Sequence, residues 1–214
     1  MKYRTRLYLI SPSEFKLDDF SSQLRDALCG GDVACFQLRM KEASEEEIVE
    51  AAKILMPMCR DKDVAFIIND YPEIAKKLDA DGVHIGEDID GDYENARSIV
   101  GDNKIVGVSC YASKDKAYLV GDKGADYVAF GQFYESKTKP PKGRPTPEIL
   151  EFWSRFTVVQ SVAIGGITPE NAEPIINAGA DFIAVVSGVW EHPQGAGKAV
   201  EEYNKVIDSV SGNR

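Results

Sequence analysis

Ala80-Asp81-Gly82-Val83-His84-Ile85-Gly86, Ala125-Asp126-Tyr127-Val128-Ala129-Phe130-Gly131 and Ala180-Asp181-Phe182-Ile183-Ala184-Val185 are three forms of one phrase, an Ala-Asp pair followed by a short apolar run. Each phrase closes a helical stretch and opens a strand. A unit repeated at tens of residues, without the strict period of a solenoid, fits a closed βα barrel better than an open stack.

Runs of the same kind precede and separate the three phrases. The full set of expected strands is Leu7 to Ile10, Val33 to Leu38, Val64 to Ile68, Gly82 to Ile85, Ile105 to Val108, Tyr127 to Phe130, Val158 to Ala163 and Phe182 to Val186. Most are continuously apolar rather than alternating, as strands buried on both faces of a parallel sheet are. Helical spacing fills the gaps, clearest in Ile48, Ala51, Ala52, Ile54, Leu55 and Met58 behind a Ser44 cap with Glu47 three residues on. Further helices open at Asp18, Pro72, Asp92, Ser113, Thr146, Thr168 and Gly197. The alternation predicts an α/β chain folded as an eight-stranded parallel (βα)8 TIM barrel, one domain over residues 1–214. An open doubly wound sheet is the competing architecture, but Ser11-Pro12-Ser13 stands where a GxGxxG turn would follow its first strand.

Composition limits the partners. The 214 residues are 43% hydrophobic and 28% charged, ordinary for a globular chain with one large core. Asp and Glu number 35 against 25 Lys and Arg, and the net charge of −10 repels a phosphate backbone, so no nucleic-acid partner is expected. No apolar run reaches the ~18 residues of a membrane span, and the N-terminus lacks a signal-peptide core, which points to a cytoplasmic chain. The four cysteines, Cys29, Cys35, Cys59 and Cys110, form no CxxC pair and are expected to be small buried side chains rather than zinc ligands.

In such a barrel the chemistry lies at the C-terminal ends of the strands. Strands seven and eight end in Gly165-Gly166-Ile167-Thr168 and Val186-Ser187-Gly188, small residues that let backbone amides approach a phosphate. Alternation past strand two places Gln37, Arg39 and Lys41 on one inward side, two of them cations that want an anion. Strand three ends in Asn69-Asp70, and Glu87, Asp88 and Asp90 follow strand four. Two carboxylates from neighbouring tips would hold Mg²⁺, with waters and phosphate oxygens completing its shell. Gly131 to Pro145, rich in lysine and carrying Ser136 and Thr138, reads as a lid over a diphosphate. His84 either points into the barrel or is a satisfied core histidine, and His192 is expected at the surface. Ser109, at the tip of strand five, is expected to have no neighbouring histidine base, so no nucleophilic triad is expected.

Together Gln37-Leu38-Arg39-Met40-Lys41, Ile68-Asn69-Asp70, Ala80 to Gly86, Gly107-Val108-Ser109, Ser136-Lys137-Thr138-Lys139, Ala163 to Ile167 and Val186-Ser187 resemble thiamine phosphate synthase, in order, from strand two to strand eight. The resemblance implies a Mg²⁺-dependent transferase that joins hydroxymethylpyrimidine diphosphate to thiazole phosphate and releases diphosphate. It implies that Gln37, Arg39, Lys41, Asn69, Ser109 and Lys139 hold the pyrimidine diphosphate and Asp70 the metal. Arg39, Lys41, Ser109 and Lys139 would carry the catalysis. Ser136, Lys137, Thr138, Gly166, Val186 and Ser187 would receive the thiazole phosphate. The partners so implied are small phosphorylated molecules, with room for a homo-oligomer.

The chain departs from the family pattern at several places. Gly86-Glu87-Asp88-Ile89-Asp90 is one residue shorter than the usual Gly-Gln-Glu-Asp arrangement allows, so the second metal ligand is Asp88, or else Asp90. Ser136 replaces a usual threonine, and Tyr71 stands where arginine often follows the Asn-Asp pair. Tyr111 stands where the related thiazole tautomerase carries its histidine, which argues against that activity. A silent barrel that only binds a thiazole or pyrimidine phosphate is the remaining alternative.

Overall fold

The structure, a computed structural model, describes residues 4–86, 92–135 and 143–211. Eight parallel strands close into a barrel in chain order, β1 (Arg6–Ile10), β2 (Val33–Leu38), β3 (Ala65–Asn69), β4 (Gly82–Ile85), β5 (Ile105–Tyr111), β6 (Tyr127–Gly131), β7 (Gln160–Ile164) and β8 (Phe182–Val185), with β8 paired back to β1. The helices between them are α1 (Leu17–Cys29), α2 (Glu45–Arg60), α3 (Pro72–Lys77), α4 (Asp92–Val100), α5 (Lys114–Asp122), α6 (Glu148–Phe156) and α7 (Glu173–Asn177). A short α8 (Ser187–Trp190) and a long α9 (Ala196–Ser211) follow β8.

Strand parity builds two separate cores. Leu7, Leu9, Phe36, Leu38, Phe66, Ile68, Val83, Val106, Val108, Val128 and Phe130 face outward and pack under the helices. Tyr8, Ile10, Cys35, Ile67, Tyr127, Ala129, Val162 and Ala184 face inward and fill the barrel. The strands therefore read as continuously apolar because both faces are buried, each large side chain contributing about 1.5–3 kcal/mol on leaving water. Local signals start α2 and α5 where expected. Ser44 caps α2 in a reciprocal capping box, its backbone N–H donating to Glu47 Oε2 at 2.8 Å, and Ser113 caps α5 by accepting from the Lys116 N–H at 3.1 Å.

The repeated Ala-Asp phrase has a structural cause at the N-terminal end of the barrel. Asp81, just before β4, accepts the Phe66 N–H of β3 at 2.7 Å. Asp126, before β6, accepts the Val106 N–H of β5 at 2.8 Å, and Asp181, before β8, accepts the Ser161 N–H of β7 at 2.8 Å. Each carboxylate satisfies an amide at the start of the preceding strand, which would otherwise be buried without an acceptor. Before β2 the same position is Asp32, which pairs instead with Arg4 and Arg6 of the first strand region.

Several boundaries differ from the sequence expectation. β7 begins at Gln160, and Val158 is 99% exposed in the irregular link between α6 and β7. Strand three begins at Ala65 rather than Val64. α7 begins at Glu173 rather than near Thr168, since the Asn171 side chain holds the intervening turn by accepting the Thr168 N–H and donating to Gly166 O. β5 runs on to Tyr111 through an irregularity in its pairing with β6. Cys35, Cys59 and Cys110 are buried as expected, but Cys29, at the end of α1, is exposed. Burial pushes the Cys59 thiol up to about 12 and Cys35 up as well, so both stay protonated. Among the described residues no helix is long and apolar enough to cross a membrane.

Candidate active site

The C-terminal ends of β1 to β5 gather the polar residues on one side of the barrel mouth. Arg39 follows β2 and is half-buried; its N–H donates to Ser11 Oγ at 2.8 Å and its Nη1 to Ser13 Oγ at 3.2 Å. The two serines that replace a glycine-rich turn after β1 thus brace this arginine. Burial pulls the guanidinium below its ordinary value, and the Asp70 carboxylate partly restores it. Lys41 lies exposed in the turn beyond, because the alternation that would turn it inward ends with the strand at Leu38.

Asp70, at the tip of β3, is exposed and adopts a left-handed φ of 65°. Its Oδ1 accepts the Gly86 N–H at 2.7 Å and its Oδ2 accepts from Asn69 Nδ2 at 2.6 Å. These contacts orient the carboxylate across the ends of β3 and β4. Asn69 itself is buried. Next to it Tyr111 donates its hydroxyl to Gly86 O at 2.9 Å, bridging the ends of β5 and β4.

Below the mouth runs a chain of polar side chains that the sequence did not suggest. Gln37 Nε2 donates to the Tyr8 hydroxyl at 2.9 Å, which lies 2.9 Å from the Tyr127 hydroxyl. Tyr127 meets His84 Nδ1 at 2.8 Å, and His84 Nε2 meets Ser109 Oγ at 2.9 Å. Gln37 is therefore inward as expected, but anchored in the barrel interior. His84 points into the barrel. The expectation that Ser109 lacks a histidine is corrected: β4 and β5 are neighbours, and pairing of His84 with Gly107 places the ring beside Ser109 two residues on. The imidazole's other nitrogen faces a phenol rather than the carboxylate of a triad. Burial pushes both phenols well above the ordinary tyrosine range, so both stay protonated at neutral pH. The signal that could have revealed the set is parity: Tyr8, Gln37, His84, Ser109 and Tyr127 all occupy inward positions. His192 is half-buried at the periphery, with Nε2 3.3 Å from Glu202.

Across the mouth, the ends of β7 and β8 form a compact pair of loops. Gly165 and Gly166 have φ of 105° and 65°, and a Cβ on Gly166 would stand 2.3 Å from Glu135 O. Only glycine fits there. The carbonyls of this turn are engaged by the Tyr134 N–H, by Asn171 Nδ2 and by the Tyr203 hydroxyl, at 3.0, 2.9 and 2.8 Å. That polarity suits a turn whose amides receive an anion. Val186 follows β8 half-buried, and Ser187 opens α8 exposed. A Cβ on Gly188 would strike the Tyr203 hydroxyl at 2.2 Å, so Tyr203 of α9 supports both loops from beneath.

Asp88 and Asp90, and Ser136, Lys137, Thr138 and Lys139, lie outside the described residues. Among the described residues no three His, Cys, Asp or Glu side chains cluster as a metal cage. Mg²⁺ does not need one, since it binds through one or two carboxylates, waters and substrate phosphate oxygens. The exposed, hard-oxygen carboxylate of Asp70, held by two donors at the mouth, fits that requirement.

Comparison with known proteins identifies the family. A family model described as thiamine monophosphate synthase matches residues 7–189. The thiamine-phosphate synthase of Rhodospirillum centenum is 49% identical over 202 residues, 94% of this chain and 97% of the relative. That of Erythrobacter litoralis is 46% identical over 208 residues, 95% of each. The solved thiamine phosphate pyrophosphorylase from Pyrococcus furiosus superposes with a TM-score of 0.83 at 33% identity, covering 97% of both chains. A geranylgeranylglyceryl phosphate synthase from Thermoplasma acidophilum, at 17% identity and a TM-score of 0.70, shares the fold alone. With close relatives matching along nearly its whole length and a family model spanning both sides of the mouth, the chain belongs to the thiamine monophosphate synthase family.

Proposed function

We propose that the chain is a transferase that joins hydroxymethylpyrimidine diphosphate to thiazole phosphate, giving thiamine monophosphate and diphosphate. The carrying observation is the placement of half-buried Arg39 and the Asp70 carboxylate just past the ends of the neighbouring strands β2 and β3, with the glycine turn after β7 at the same mouth. Arg39, braced by Ser11 and Ser13, binds the diphosphate, joined by Lys41 and by Lys139. Asp70, with Asp88 or Asp90, would hold Mg²⁺, and a bound ion neutralises charge on the departing diphosphate. Gln37, Asn69 and Ser109 orient the pyrimidine. Gly166, Val186 and Ser187, with Ser136, Lys137 and Thr138, receive the thiazole phosphate and set its ring nitrogen against the reacting carbon. Positioned cations and dipoles lower the barrier, so no covalent nucleophile is needed.

Tyr111 supports the synthase over the tautomerase, because its hydroxyl is committed to Gly86 O where that enzyme would place a histidine. The test mixes purified protein with both substrates and Mg²⁺ and follows thiamine monophosphate by mass. Product formation is expected. Turnover of the thiazole phosphate alone, or binding of both ligands without product, overturns the assignment.

A further inference from the structure

We infer that Tyr127 is a positioning residue: by donating its hydroxyl proton to His84 Nδ1 it fixes the Nε2–H tautomer of His84, and so turns Ser109 into a one-way hydrogen-bond donor toward the substrate. The inference rests on counting protons along the buried chain. The Gln37 amide nitrogen can only donate, so at 2.9 Å it uses an acceptor site of the Tyr8 oxygen. Tyr8 then has a single proton to place. Its neighbours are the Cys35 thiol, a weak acceptor, and the Tyr127 oxygen at 2.9 Å, a strong one. The Tyr8 proton goes to Tyr127, which the Gln37 amide also meets as a donor, and the single proton of Tyr127 is left to point at His84 Nδ1, 2.8 Å away. A neutral imidazole carries one N–H, which must then sit on Nε2.

That N–H donates to Ser109 Oγ at 2.9 Å. The serine proton is thereby turned away from the histidine, toward the mouth that half-buried Ser109 borders. Tyr8, Gln37, His84 and Tyr127 are all buried, so the order of donors is set by the interior rather than by bulk water. Because Ser109 acts on the substrates of the proposed synthase reaction, the functional half of the inference depends on that assignment. The tautomer does not.

The chain has two histidines, so a long-range ¹H–¹⁵N spectrum of the histidine-labelled protein resolves both rings, with a His192→Gln variant to assign them. His84 is expected neutral, with bare Nδ1 and a slowly exchanging Nε2 proton. A Nδ1–H or doubly protonated ring in the wild type overturns the inference, whether or not the variants fold or the wild type makes thiamine monophosphate. In Tyr127→Phe the His84 signals should move to a mixture of tautomers, and kcat should fall about ten-fold with KM within two-fold, the scale of one hydrogen bond. In a Ser109→Ala background the Tyr127→Phe change should cost nothing more. A full, multiplicative loss in the double variant would show that Tyr127 does not act through Ser109.

Discussion

His84 and Tyr127 lie nearly parallel, their ring centroids 5.6 Å apart and their planes 13° from each other, across a strand that places Gly107 between them. The glycine is what permits the approach, since a Cβ there would stand 1.9 Å from Tyr127 Cζ. Gly107→Ala should therefore force the phenol out of the interior. Overpacking of this kind costs ~3 kcal/mol, which for a domain of this size lowers Tm by roughly 6–12 °C. Calorimetry reads the loss, and an unchanged Tm would show that the interior has slack.

Asp70 holds its left-handed φ of 65° without glycine, and asparagine is the other residue that does so readily. Asp70→Asn should consequently fold with a Tm close to wild type, keep the Gly86 contact through its amide oxygen, and lose the negative charge. If Asp70 is a Mg²⁺ ligand, kcat/KM should drop by at least ~100-fold, the scale of an electrostatic group acting on developing charge. The concentration of Mg²⁺ needed for half-maximal rate should also rise. Retained activity at unchanged Mg²⁺ demand would remove Asp70 from the site.

The strands are legible from sequence because a parallel barrel buries both faces, so each reads as an apolar run with a polar tip. Arg39, Asp70 and Gly166 follow from that rule, since the strand end alone decides where they point. Lys41 lies three residues past the end of β2 in an exposed turn, where the strand rule no longer fixes a direction. The Tyr8–Tyr127–His84–Ser109 chain is invisible for a different reason. Its members come from β1, β6, β4 and β5, and two of them meet only after the sheet has closed on itself. A histidine absent from the neighbourhood of Ser109 in sequence is adjacent to it in the ladder. The repeated aspartates show the converse. Their recurrence is plain in the sequence, yet it marks the stabilising end of the barrel, far from the chemistry.

Asp181 tests that division of labour. Its Oδ2 accepts both the backbone N–H and the hydroxyl of Ser161, at 2.8 and 2.9 Å, and Ser161 is fully buried. Asp181→Ala leaves that amide without its acceptor, at a cost of ~1–3 kcal/mol. The urea midpoint should fall accordingly, while kcat/KM of the folded enzyme stays within two-fold of wild type. A selective loss of activity at full stability would mean that the repeat serves the active site after all.

Acid should expose the fourth aspartate of the series. Asp32 accepts from Arg6 Nη2 at 2.6 Å, from Arg6 Nε at 2.9 Å and from Arg4 Nη1 at 2.7 Å. The Arg6 hydrogen bonds, followed by the charges of Arg6 and Arg4, hold its carboxyl below the usual aspartate range despite partial burial. With the folded value below the unfolded one, near 3.9, the unfolded chain binds the proton first. The stability from this cluster is complete above about pH 5 and is lost as pH falls through the folded value, below about 4. The carboxylate is 36% exposed, so solvent screening limits the gain to ~1 kcal/mol or less. Comparing urea midpoints at pH 7 and pH 3, the wild type should lose more stability than Asp32→Asn by up to that amount, because the variant has no charge there to neutralise. Equal losses in the two proteins would show that the arginine pair contributes nothing to folding at neutral pH.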